Sequence, residues 1–187
     1  MSKFISAYYL GLVGLLGLPT VALAQGTPAK PATSNPAAAA ATGPAVRYVV
    51  SFPNAVHHEA RVKATFAGLT PGKAVAVRMA RSSPGRYALH EFIKNVYYVA
   101  ATDGGGKLLA ISRPDPYTWD IKPGADGTIQ FEYTLYGDRS DGTYAGIDQQ
   151  HAHLNMPATL CYAQGLEGRA AEVKFERPSG WKVATQL

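Results

Sequence analysis

His90 and Glu91 open the stretch RSSPGRYALHEFIKNV (residues 81–96) as an H-E-x-x-H zinc helix would, but Lys94 stands where the second imidazole belongs. Such a site needs two neutral ring nitrogens one helical turn apart. An ammonium there repels the metal unless its pKa is strongly depressed, and a lysine on a wet face has no cause to show that. No metal ligand and no catalytic residue is therefore assigned to this stretch. A second pair, His151 and His153, lies two residues apart, so on a strand both rings point the same way. With His57 or His58 they would supply three nitrogens for zinc or copper. The plainer reading, preferred here, has His153 and Asn155 bonding nearby backbone at an interface, which makes His151, His153 and Asn155 candidates for a domain-interface or substrate-end role. The single cysteine, Cys161, allows no internal disulfide; in ATLCYAQ it reads as a small buried hydrophobe and not as a nucleophile.

Strands must position these residues, because from Val46 onward the hydrophobic period is two. His58, Ala60, Val62, Ala64 and Phe66 share one face; so do Val75, Val77 and Met79, then Ile129, Phe131, Tyr133 and Leu135, then Val173 and Phe175. Turn chemistry punctuates the runs at LTPGK, TDGGGK, RPDPY and KPGADG. About eight or nine short strands at this spacing predict an all-β fold, an antiparallel sandwich or strongly bent sheet. One short helix is expected within it. Ser83-Pro84-Gly85-Arg86 fits a type II turn, and Leu89, Phe92, Ile93 and Val96 then fall at i, i+3, i+4 and i+7, with His90, Glu91 and Lys94 outside. Glu91 and Lys94 could pair weakly there. Pro84, Gly85, Arg86 and Glu91 are accordingly assigned structural roles. The Tyr136 to Gln150 stretch is polar, glycine-rich and long for a hairpin, and such loops on a β scaffold often carry contacts. Trp181 is expected to anchor the last turn. The many tyrosines could form a carbohydrate-stacking platform, but alternation places most of them in or beside the core.

The N-terminus reads as a targeting segment. Met1-Ser2-Lys3, an apolar run and Ala22-Leu23-Ala24 give a signal peptide over 1–24, cleaved before Gln25, and hence a periplasmic or secreted protein with no membrane partner after cleavage. Residues 25–45 form an Ala/Pro-rich spacer with too little apolar surface to offset its ordering entropy. Residues 46–187 remain as one domain. The formal charge of +5 is spread without a basic run, so no nucleic-acid partner is expected.

Several blocks resemble the N-terminal domain of the glycyl aminopeptidases, metallopeptidase family sixty-one: SPGRYALHEFIKNV, TWDI, FEYTLYG, HAHLNMPATLCYAQG and GWKVATQL. The most specific is P-G-R-Y-x-x-x-E-F-x-x-N-V, carried by Pro84, Gly85, Arg86, Tyr87, Glu91, Phe92, Asn95 and Val96; the likeness spans about Arg47 to Leu187. At RMARSSPGRY the sequence departs, since relatives commonly carry an aromatic residue before Pro-Gly. The resemblance implies a β domain preceding a thermolysin-like catalytic domain that holds the zinc and the H-E-x-x-H helix. It therefore implies a fragment or detached domain with no cofactor of its own. Its partner would be its own downstream catalytic domain, with peptide met only indirectly, in an enzyme releasing N-terminal Gly or Ala. The rival reading is a free-standing exported binding module for peptide or carbohydrate.

Overall fold

The computed structural model describes residues 43–139 and 141–185. The expected signal peptide and most of the spacer lie outside the described residues. The spacer's last three residues, 43–45, lie inside them and already belong to the body. A Cβ on Gly43 would come 2.7 Å from the Arg169 guanidinium, which itself donates to the Ala67 carbonyl at 2.7 Å.

Among the described residues eleven strands form: β1 (Val46–Asn54), β2 (Glu59–Phe66), β3 (Val75–Arg78), β4 (Val96–Thr102), β5 (Ile111–Asp115), β6 (Thr118–Ile121), β7 (Ile129–Tyr136), β8 (Gly146–Ile147), β9 (Ala152–His153), β10 (Tyr162–Ala163) and β11 (Ala171–Glu176). They assemble as a five-stranded sheet β11-β1-β2-β7-β4, a four-stranded sheet β10-β3-β6-β5 and a small ladder β8-β9. The architecture is the β sandwich that the alternation predicts. Val62, Ala64, Phe66, Ile129, Phe131, Tyr133 and Leu135 are all essentially inaccessible on the inner face of the larger sheet, facing Val77, Trp119 and Ile121 of the smaller one. Trp119 and Phe131 meet at 5.2 Å between ring centroids. Each large side chain buried this way contributes about 1.5–3 kcal/mol. The outward-facing partners are polar, as in the 3.4 Å contact of Arg61 with Glu132.

Four details differ from the sequence expectation. β11 runs parallel to β1, with Val50 opposite Phe175, so the large sheet is mixed; both strands start at the same end of the molecule, and a long connection permits that pairing. Part of RPDPY is strand β5, where Pro114 is tolerated because β5 is a sheet edge. His58 does not join the inner row of β2: it takes a left-handed conformation at φ 62° just before the strand. And no helix runs from Leu89 to Val96. A four-residue 3-10 helix, Phe92–Asn95, stands there, while a one-turn α1 forms at Met156–Thr159.

Strand directions sort the connections into two poles. At one pole lie tight turns: Lys73 N–H donates to the Thr70 carbonyl and Gly127 N–H to Gly124. Gly127 is obligatory there, since it sits at φ +63° and a Cβ would come 2.5 Å from the Leu69 carbonyl oxygen. At the other pole lie the long connections, residues 79–95, 137–161 and 177–185, together with the 55–58 turn. Every candidate residue singled out above falls at this second pole.

Candidate functional site

The 79–95 connection begins with the expected turn. Arg86 N–H donates to the Ser83 carbonyl at 3.0 Å, and Gly85 takes φ +76°, the positive value that a type II turn demands of its third residue. The Arg86 guanidinium reaches across to the Asp141 carbonyl at 3.4 Å. His90 N–H closes the base of the loop on the Arg81 carbonyl at 2.8 Å. Glu91 does not pair with Lys94. It accepts the Tyr117 hydroxyl at 2.8 and 3.0 Å and meets the Arg81 guanidinium at 3.4 Å, and that guanidinium lies 4.0 Å from the centroid of the Tyr117 ring. Glu91 in turn holds the phenolic proton of Tyr117 and raises its pKa. The His90 ring is not on the wet side either; it stacks on Phe92 at 5.1 Å and meets Tyr144 edge-on at 5.7 Å. Tyr87 and Leu89, by contrast, project into solvent, Leu89 at 68% exposure.

The 137–155 connection is less open than its composition suggests, for Tyr144, Ala145 and Ile147 are buried in the core. Two aspartates shape it. The Asp141 carboxylate accepts Thr143 N–H at 2.9 Å and Tyr144 N–H at 3.1 Å, and Asp148 accepts Gln150 and His151 N–H at 2.7 and 2.8 Å. These backbone donors hold both carboxyls below their usual pKa. His151 turns its Nδ1 to Asp148 at 3.0 Å. His58 turns its own Nδ1 to the Ile147 carbonyl at 2.6 Å. Among the described residues no three His, Cys, Asp or Glu side chains gather as a metal site would require.

Asn155 ties the connections together. Its side-chain amide nitrogen donates to Ser83 Oγ at 3.1 Å and to the Thr143 carbonyl, while its main-chain carbonyl accepts Ala158 N–H and the Thr159 hydroxyl. Behind it, Tyr133 donates to the Thr159 carbonyl at 2.6 Å and Tyr48 to the Cys161 carbonyl at 3.0 Å. Cys161 is fully buried, and burial pushes its thiol pKa up to about 12, which removes it as a nucleophile.

A groove of about 820 Å³ opens beside Asn155 and His153. Phe52, Phe175 and Trp181 line it, and Trp181 packs on Phe52 with ring centroids 5.1 Å apart, as its anchoring role predicts. The groove itself was not legible in the sequence. Its one signal is that SFP and KFERP end two strands with Phe near Pro, which means little until β1 and β11 are known to be neighbours.

A sequence model described as the Peptidase M61 N-terminal domain matches residues 47–187. The chain belongs to that family. Among solved structures the M61 N-terminal domain resembles an aminopeptidase N family protein from Idiomarina loihiensis, at a TM-score of 0.65 and 16% identity. The match covers 72% of this chain and 22% of that one, so this chain matches less than a quarter of that protein, and at such identity the likeness establishes the fold. No curated protein matches in sequence.

Proposed function

We propose that this chain is the non-catalytic N-terminal domain of an exported zinc aminopeptidase that releases Gly or Ala. In this reading its loop pole packs on a downstream catalytic domain and narrows access to the cleft. The observation that carries the reading is the placement of the family-specific block. Pro84 to Val96 lies at the pole of long connections, fixed from behind by Glu91, Tyr117 and Arg81, with Tyr87 and Leu89 presented to solvent. Apolar side chains held out on a rigid support suit a surface that another domain covers. Zinc and the general base of the hydrolysis would belong to that other domain. The M61 N-terminal domain would contribute shape, orientation and exclusion of water.

Amide exchange tests this directly, comparing the chain alone with the same chain continued into its catalytic domain. Residues 84–91 and 137–150 should exchange more slowly in the longer protein, while the tight turns at the opposite pole exchange alike. Equal exchange at the loop pole refutes the docking arrangement. Turnover of a glycyl-peptide by the 187-residue chain alone, abolished by a chelator, refutes the non-catalytic role.

A further inference from the structure

The groove beside Asn155 has an apolar floor and a one-signed rim. Phe52, Phe175 and Trp181 form the floor, and among the described residues no aspartate or glutamate lines the groove. Its two formally charged lining residues are Arg177 and Lys182. Both are solvent-exposed, and neither meets a carboxylate among the described residues. Two exposed cations over an aromatic floor favour a ligand that is anionic at one end and apolar in its body. Polar groups in the lining narrow the class further. Asn155 uses its amide nitrogen on Ser83 and Thr143, which leaves its side-chain oxygen as an acceptor. Ser83 Oγ accepts from Asn155 and keeps its own proton to give. An acceptor and a donor side by side match the N–H and C=O of one peptide unit.

We propose that this groove binds the carboxyl-terminal residue of a short peptide with an apolar last side chain. The carboxylate meets Arg177 and Lys182, the side chain lies against Phe52, Phe175 and Trp181, and the last peptide unit bonds Asn155 and Ser83. The volume falls within the ~300–1,000 Å³ of sites that hold small ligands. This goes beyond the docking reading: the groove opens at the same loop pole, and its occupant is tested on the chain by itself.

The test is titration of the 187-residue protein with the tripeptide Gly-Gly-Phe, followed by calorimetry and by Trp181 fluorescence. The C-terminally amidated tripeptide and an amidated Gly-Asp-Phe, whose carboxylate is internal, serve as comparisons. Loss of a charge-assisted contact should weaken the amide about tenfold or more relative to the free acid. R177Q combined with K182Q should bring the acid down to the affinity of the amide and leave the amide unchanged; both sites are exposed, so thermal unfolding should stay as in the parent. Equal binding of acid and amide, binding of amidated Gly-Asp-Phe as tight as the free acid, or no binding of the acid at millimolar concentration each overturns the proposal. These outcomes are read on the chain by itself, so they separate from a failure of domain docking.

Discussion

Asn155 was expected to bond nearby backbone, and its side-chain amide does reach the Thr143 carbonyl, yet the same nitrogen also joins a segment 72 residues away. That distance explains what spacing alone reveals. His151-x-His153 announces a shared direction, but the partner of each ring depends on which loops fold back beside it. His151 found Asp148 three residues earlier, a local contact in principle readable from sequence. Ser83 opposite Asn155 was not readable by any periodicity. Replacing Asn155 by Ala leaves the Thr143 carbonyl without its donor and should cost about 1–3 kcal/mol, measured as a lower urea midpoint with an unchanged slope. Asn155→Asp should cost more, since a carboxylate would then face that carbonyl oxygen.

The element that departed furthest from expectation is the 79–95 connection, and its chemistry accounts for the departure. Leu89, Phe92, Ile93 and Val96 make a helical stripe only two turns long, and helices that short have little stability of their own. What would hold such a stripe is a core to lie on, but the facing strands already fill that core. Phe92 enters it, at 1% exposure, while Ile93 and Val96 only pack against its margin and Leu89 stays in solvent. The backbone instead follows the side chains: His90 N–H goes to Arg81, and Glu91 goes to Tyr117. The strands β2, β3, β7 and β11 were legible because apolar and polar residues alternate over lengths of four to eight residues. The two-residue pieces β8, β9 and β10 carry no period at all. Tyr117→Phe should loosen this connection without unfolding the sandwich. Amides of residues 89–91 should exchange about 2–10 times faster, as expected from losing one partly exposed hydrogen bond, with the global unfolding temperature nearly unchanged.

At the scale of the whole molecule, Tyr48, Tyr133 and Cys161 link the large sheet to the segment leading into β10. Burial raises the pKa of all three, the thiol to about 12. Groups that lose their protons later in the folded than in the unfolded chain stabilise the fold fully below their unfolded pKa. That contribution fades as pH climbs through the folded value. Stability against urea should therefore hold steady at neutral pH and decline once pH passes about 8.5, the ordinary value for cysteine. Cys161→Ala should flatten part of that decline, and a thiol reagent at pH 8 should label the protein only after unfolding. The parallel pairing of β1 with β11 adds a constraint of timing. The first and last of the described strands are neighbours, so the sheet cannot close until residues up to Glu176 have left the ribosome. A nascent chain halted before Ala171 would carry β1 as a bare edge, open to pairing with other copies.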